Sequence, residues 1–145
     1  MYATAKTILV NDQDCADAIQ ETIVKAFSKY HTLKKERYAK TWLMRILINE
    51  CYNICRNESR KLSIDEMNLE LAVLKEEKRD YSGLYEAVNS LKEELRIPVV
   101  LYYMEDFSVR EIARILEISE GAVQKRLARA RKNLEVTVNL EEVWI

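Results

Sequence analysis

Apolar residues recur at helical spacing in the first part of the chain. Between Asp14 and Tyr30 they form one stripe with a period of 3.6 residues, which predicts an amphipathic helix with that stripe facing inward. The stripe consists of Ala18, Ile19, Ile23, Ala26 and Phe27, and the polar residues at its edge are Asp17, Gln20 and Glu21. Residues 30–38 lack this period and are predicted to be a connecting loop.

A second helix is predicted to begin near Ala39 to Thr41. Its inward stripe is Leu43, Ile46, Leu47 and Ile54. Its opposite face carries Arg45, Asn49, Tyr52 and Arg56, at positions i, i+4, i+7 and i+11. Trp42 lies at the end of this helix nearest the loop.

The periodicity weakens from Lys61 to Asp80, where the chain is rich in charge and only intermittently apolar. We interpret residues 62–81 as a linker between a domain at 1–61 and a domain at 82–145. After it, Leu84, Val88 and Leu91 predict a short helix, and Leu95, Val99, Val100 and Tyr103 predict inward positions of another. Pro98 lies inside that helix and is predicted to kink it or make it irregular.

Two short helices are predicted after Phe107. Ser108 and Glu111 form a capping box that opens the first, and Ser119 caps the second. Small Ala113 falls where the helices would cross, and the second helix has an apolar stripe of Val123, Leu127, Ala130 and Leu134. This spacing predicts a helix-turn-helix, with a helical hairpin bearing a solvated basic face as the alternative.

Composition supports an all-α fold of two small helical domains, because 145 residues include only two Gly and one Pro. No apolar run approaches the ~20 residues of a membrane span, so a cytoplasmic protein without membrane insertion is expected. Cys51, Cys55 and His31 could approach a metal, but no fourth ligand is evident. We therefore expect neither a metal nor a cofactor.

The net charge of −1 conceals two basic blocks. Residues 25–61 hold ten Lys and Arg against three Glu, and residues 119–133 hold five against one. Such blocks indicate two contacts with one polyanion, although solvated helix faces would also account for them.

The residue types in these blocks suit nucleic acid. In the second helix of the helix-turn-helix, Gln and Arg can contact base edges while Lys neutralises phosphate. The candidate residues there are Glu120, Gln124, Lys125, Arg126 and Arg129. In the first half, aromatic rings stand beside cations, as the binding of unpaired bases requires. Those residues are Tyr38, Lys40, Trp42, Arg45, Asn49 and Arg56.

The runs FSVREIARIL (107–116) and SEGAVQKRLARARK (119–132) closely resemble the carboxy-terminal domain of bacterial sigma factors of the extracytoplasmic-function (ECF) group. The run DCADAIQET (14–22) is similar to the polymerase-binding helix of that group, and YAKTWLMRI (38–46), with Asn49 and Arg56, is similar to its promoter-melting helix. These motifs occur in the family's order and cover most of the chain.

The resemblance implies a promoter-recognition subunit without an active site of its own. Its partners would be RNA polymerase core, promoter DNA and an anti-sigma protein. Polymerase would be bound through Asp17, Gln20 and Glu21. The minus-ten element would be held as single strand by the first domain, and the minus-thirty-five duplex would be read by the helix that begins after Ser119. Two departures stand out: the first helix looks truncated, and Glu117 occupies a turn position where the family often has Gly.

Three other functions compete with this interpretation. A homodimeric helix-turn-helix regulator would use the same reading surface without binding polymerase core, but it should carry a dimerisation helix or an effector pocket. A helical adaptor would use the apolar stripes and show no salt-dependent binding to nucleic acid. An enzyme is the least favoured, because no nucleophile and base are recognisable in the sequence.

Overall fold

The computed structural model describes residues 1–62 and 83–143, with side chains placed within 1–58 and 86–136. All regular elements in these ranges are helical, which confirms the all-α fold. They are α1 (Tyr2–Ile8), α2 (Asp12–Lys29), α3 (Ala39–Leu62), α4 (Gly83–Ser90), α5 (Glu93–Val99), a π-helical turn (Val100–Met104), α6 (Val109–Leu116) and α7 (Glu120–Val143).

Helices α1, α2 and α3 pack together in the first half of the chain. The Asn11 side chain caps α2 by accepting a hydrogen bond from the backbone N–H of Asp14 at 2.7 Å. Lys25 of α2 forms an ion pair with Glu50 of α3, and the hydrogen bond between them raises the pKa of Lys25. This pairing joins the two longest helices of the first half.

The inward stripe predicted for α2 is wrong at its carboxy-terminal end. Cys15, Ala18 and Thr22 are buried, but Ile23 is 43% exposed and Phe27 is 82% exposed. Helix α2 packs against α1 and α3 on the side that carries Cys15 and Ala18. Apolar residues on the other side are therefore left at the surface.

The stripe predicted for α3 is displaced by about one residue. Met44, Leu47, Ile48 and Cys51 are the buried apolar residues of this helix. Of the predicted stripe only Leu47 is fully buried, while Leu43, Ile46 and Ile54 are half-buried. The shift follows from packing on three sides, because α3 contacts α1, α2 and α6. Before α3, the predicted loop contains two 3₁₀ turns, Tyr30–Thr32 and Glu36–Tyr38.

Pro98 is followed by the predicted irregularity. The helix widens at the π-helical turn, where the N–H of Glu105 donates to the carbonyl of Val100 at 3.1 Å, five residues back. Leu95, Val99 and Val100 are buried as predicted. Tyr103 is not: it is 52% exposed, because the wider turn changes the angle between successive side chains.

The two halves of the chain share one hydrophobic core. Helix α1 contacts α5 and the π-helical turn, and α3 contacts α6. Across this boundary the Arg96 guanidinium donates a hydrogen bond to the carbonyl of Thr7 at 3.1 Å. Most of the predicted linker, and Trp144 in the tail, lie outside the described residues.

Candidate nucleic-acid interface

Helices α6 and α7 form the helix-turn-helix that the sequence predicts. The Ser108 hydroxyl accepts from the N–H of Glu111 at 3.2 Å, and the Glu111 carboxylate accepts from the N–H of Ser108 at 2.8 Å. This confirms the capping box. Ser119 caps α7 by accepting from the N–H of Ala122 at 3.0 Å. Two donors at the start of α6 and one at the start of α7 are thereby satisfied.

Apolar packing holds the second helix against the first. Ile112 and Ala113 of α6 are buried, as are Val123, Leu127 and Ala130 of α7. The turn between the helices contains Glu117 in the left-handed conformation, with φ 56° and ψ 42°. The orientation of α7 relative to α6 is therefore set by a buried seam and one tight turn.

This packing leaves a polar and basic face of α7 exposed. Gln124, Lys125 and Arg129 are exposed, and so are Ser119 and Glu120 at the beginning of the helix. Arg126 was predicted to share this exposure but is half-buried. Its side chain faces the first half of the molecule, where it lines the cleft described below.

The predicted outer face of α3 is exposed. Arg45, Asn49, Tyr52 and Arg56 all lie at the surface. The Arg56 guanidinium donates to the side-chain oxygen of Asn53 at 2.5 Å. Lys40 is exposed in the first turn of the helix, whereas Trp42 is half-buried. The structure thus brings the six first-half candidates to one helix and the turn that precedes it.

Two guanidinium groups contact the Tyr38 ring. Arg37 is 4.8 Å from the centre of the Tyr38 ring, and Arg114 of α6 is 4.7 Å from it. Arg37 also donates to the Tyr38 hydroxyl at 3.0 Å. Hydrogen bonding from Arg114 and the positive charge of Arg37 lower the pKa of Tyr38, because both favour the phenolate form. The Tyr38 ring is therefore a stacking surface that already contacts cations.

A cleft of about 460 Å³ lies between α3 and the second half of the chain. Arg45, Asn49 and Arg126 line it, together with the acidic residues Glu93 and Glu117. Arg45 forms an ion pair with Glu117 across the cleft. Desolvation and a hydrogen bond with Glu93 raise the pKa of Tyr52 above its usual range. These acidic neighbours could not be predicted from the sequence, because they are remote along the chain from the residues that they face.

The predicted polymerase-binding residues lie together on α2. Asp17, Gln20 and Glu21 are all exposed, and Asp17 accepts a hydrogen bond from Gln13 at 3.0 Å. An apolar patch continues from them along the helix, and sequence reasoning missed it. It consists of Ile23, Val24, Phe27 and Tyr30, between 43% and 82% exposed. Ile23 and Val24 are adjacent, and two adjacent apolar residues cannot both lie in one narrow helical stripe. This pair was the sign in the sequence that apolar side chains would remain at the surface.

The three cysteines are free thiols in the first half of the chain. Cys15 and Cys51 are buried free thiols, Cys55 is half-buried, and burial raises the pKa of Cys51 to about 12. Within residues 1–62 and 83–143, no three His, Cys, Asp or Glu side chains come close enough together to hold a metal ion. No helix in the same ranges is long and apolar enough to span a membrane.

The fold and the site define a helical DNA-binding protein of the helix-turn-helix class. Residues 1–61 match the family described as "Sigma-70 region 2", and residues 82–134 match "Sigma-70, region 4". Together the two matches span most of the chain, which therefore belongs to the sigma-70 family of RNA polymerase sigma factors, within the ECF group.

Individual relatives agree with this membership. The RNA polymerase sigma factor SigV of Bacillus subtilis is 28% identical over 143 residues, covering 98% of this chain and 86% of SigV. The ECF RNA polymerase sigma-E factor of Haemophilus influenzae is 27% identical, and the match covers 89% of this chain and 77% of the sigma-E factor.

Solved structures agree on the fold. The sigma factor RpoE from Bartonella quintana, crystallised with the anti-sigma factor NepR, has a TM-score of 0.78 and 24% identity, covering 95% of this chain and 89% of RpoE. CnrH, solved with the cytosolic domain of CnrY, has a TM-score of 0.68 and 21% identity, covering 96% and 80%. The chain is a sigma factor that supports promoter-specific initiation by RNA polymerase, and a regulator that acts without polymerase is not favoured.

Proposed function

We propose that α7 reads the minus-thirty-five element as duplex DNA. The main support is that α7, the second helix of a capped helix-turn-helix, exposes an amide and cations on one face. An amide can pair with adenine and a guanidinium with guanine, while further cations neutralise phosphate. The residues assigned to this contact are Ser119, Glu120, Gln124, Lys125, Arg126 and Arg129.

The minus-ten element is held as single strand by α3 and the turn before it. The residues assigned are Tyr38, Lys40, Trp42, Arg45, Asn49 and Arg56. Their support is the combination of two rings with at least partial exposure and several exposed polar or cationic side chains along one helix face. Aromatic faces stack on any base, and cations follow the phosphates, so this combination suits a strand that has left the duplex.

Polymerase core docks on α2. Asp17, Gln20 and Glu21 provide charge and hydrogen bonds at one end of the docking surface, and the apolar patch from Ile23 to Tyr30 extends it. Exposed contiguous apolar side chains rimmed by polar ones are typical of surfaces that bind another protein. Phe27 contributes most to this surface because 82% of it is exposed.

An anti-sigma protein binds this chain, by analogy with RpoE, whose structure contains the anti-sigma factor NepR. The chain acts in the cytoplasm, where the polymerase is, and contributes binding rather than a catalytic step.

Reconstitution with core polymerase, followed by sequencing of transcript starts, tests this function. We expect starts at a defined set of promoters that share elements near minus ten and minus thirty-five. A homodimeric regulator would instead bind duplex DNA without core and add no starts of its own. Core polymerase alone is the control, and identical starts with and without the chain would refute the proposal.

A further inference from the structure

Two cations of the second basic block have no part in the reading contact proposed above. Arg131 and Lys132 follow the reading residues along α7, and both are exposed. Arg131 comes seven residues after Gln124, and seven residues of an α-helix make two turns less about 20°. The two side chains therefore leave α7 on the same side, about 10 Å apart along its axis. The exposed residue between them on that side is Ala128, which is small.

The spacing between Gln124 and Arg131 matches the dimensions of a DNA groove. A reading helix contacts base edges with its amino-terminal residues, inside a major groove about 12 Å wide. A side chain about 10 Å further along that helix lies past the base edges, at the level of the phosphates that border the groove. With Gln124 at the bases, the guanidinium of Arg131 therefore reaches the DNA backbone.

The side chain of Arg131 is held by a tyrosine from another element. Its guanidinium donates a hydrogen bond to the Tyr103 hydroxyl at 3.4 Å. The Tyr103 ring is itself met edge-on by the Tyr102 ring, with centroids 4.9 Å apart and an interplanar angle of 79°. A guanidinium has five N–H donors, so the one contact with Tyr103 fixes its position and leaves donors for a ligand.

The π-helical turn is what brings Tyr103 to Arg131. A regular helix would have turned this residue inward, as its periodicity predicted, but the wider turn leaves it 52% exposed. Tyr103 has no place in the hydrophobic core, and its contact with Arg131 lies at the surface. Single π-helical turns within helices are rare and frequently lie at functional sites. The irregular turn thus has a consequence outside the core, which is the placement of one cation.

The charge of Arg131 is not neutralised within the described part of the chain. Among residues 1–58 and 86–136, no carboxylate forms an ion pair with it. Its only hydrogen-bond partner there is the neutral hydroxyl of Tyr103. An arginine that is oriented by a neutral group and keeps its full charge is suited to bind an external anion, and the guanidinium geometry matches a phosphate.

We propose that Arg131 binds a backbone phosphate of the minus-thirty-five duplex and that Tyr103 is the positioning residue that holds its guanidinium there. The contact fixes the register of α7 on the duplex without reading a base, since phosphates carry no sequence information. This inference rests on the proposed function, because it takes α7 to lie in the major groove of the minus-thirty-five element.

Arg131→Gln tests the phosphate contact. Each phosphate that a cation neutralises contributes about 0.9 to the slope of log affinity against log salt concentration. The variant should lower that slope by about 0.9 and weaken binding about eight-fold at about 0.1 M salt. The loss should be equal on specific and scrambled duplex, so the preference for the minus-thirty-five sequence should stay unchanged. Arg131→Lys keeps the charge and should keep the slope.

Tyr103→Phe tests the positioning role, because it removes the hydroxyl and keeps the ring. Binding should weaken by about two- to ten-fold, the size expected for one hydrogen bond. The salt slope should stay unchanged, since the charge of Arg131 remains. In an Arg131→Gln background, Tyr103→Phe should cause no further loss, because the group that it positions is already gone.

Fluorescence anisotropy with polymerase core reconstituted with the full chain measures these effects. The probe is a duplex copied from the minus-thirty-five region of a mapped promoter, titrated at several salt concentrations. Lys92→Gln is the matched control for charge, because Lys92 is an exposed cation at the start of α5, the end remote from the π-helical turn. Tyr102→Phe is the matched control for the hydroxyl. Neither control should change affinity or slope.

An unchanged salt slope with Arg131→Gln would refute the phosphate contact, and so would a loss confined to the specific duplex. An undiminished effect of Tyr103→Phe in the Arg131→Gln background, or an equal effect of Tyr102→Phe, would refute the positioning role. The proposed function fails separately, if polymerase with the unmodified chain does not distinguish the minus-thirty-five duplex from a scrambled one. The two failures can thus be told apart in one set of titrations.

Discussion

Tyr38→Ala offers the sharpest test of strand capture. The Tyr38 ring lies in the turn before α3 and contacts Arg37 and Arg114, and the residue has no place in the buried core. Its removal should therefore leave the fold and the binding of polymerase core nearly unchanged. Stacking of one base on an aromatic ring contributes about 1–3 kcal/mol. If Tyr38 carries one such stack, the open complex should lose about 5- to 150-fold in stability or rate of formation.

Permanganate footprinting of the minus-ten region measures that loss at equal polymerase occupancy. Tyr38→Phe is the matched control, since it keeps the ring and removes only the hydroxyl that accepts from Arg37. We expect Tyr38→Phe to open promoters almost like the unmodified chain and Tyr38→Ala to open them poorly. A pre-melted promoter should restore most of the activity if the ring helps to nucleate opening. Normal reactivity with Tyr38→Ala would refute the assignment of Tyr38 to strand capture.

Three further predictions address the other surfaces and the core. Charge reversal at Asp17 and Glu21 should weaken binding to polymerase core in a titration while the melting temperature stays the same, because both side chains are exposed; unchanged affinity would remove α2 from the interface. Gln124→Ala should reduce preference for the minus-thirty-five sequence by about 1–3 kcal/mol, and an equal loss on scrambled duplex would reveal a phosphate contact instead. Leu127→Ala should lower the free energy of unfolding by about 2–5 kcal/mol in denaturant titrations, because Leu127 is buried in the helix-turn-helix seam. Lys125→Ala, at an exposed position of the same helix, is the control and should leave that free energy unchanged.

Features that depend on neighbours in the chain were predictable from the sequence. The capping box of Ser108 and Glu111 closes within three residues, so its hydrogen bonds form wherever α6 packs. The buried stripe of Val123, Leu127 and Ala130 repeats at helical spacing, and the helices that α7 packs against, α4, α5 and α6, all lie in the same half of the chain. The exposed face of α3 was predictable for the same reason, since its polar residues share one side of a helix.

Features that depend on remote partners were decided only by tertiary packing. Helix α2 has apolar residues on two sides, and nothing within the helix determines which side meets α1 and α3. Its Phe27 was predicted to be buried but lies at the surface. The partial burial of Arg126 on α7 and the pairing of Arg45 with Glu117 also follow from how the second half of the chain packs against α3. Local periodicity specifies the helices and their amphipathic faces, but which face is covered is the outcome of competition among all the apolar surfaces of the folded chain.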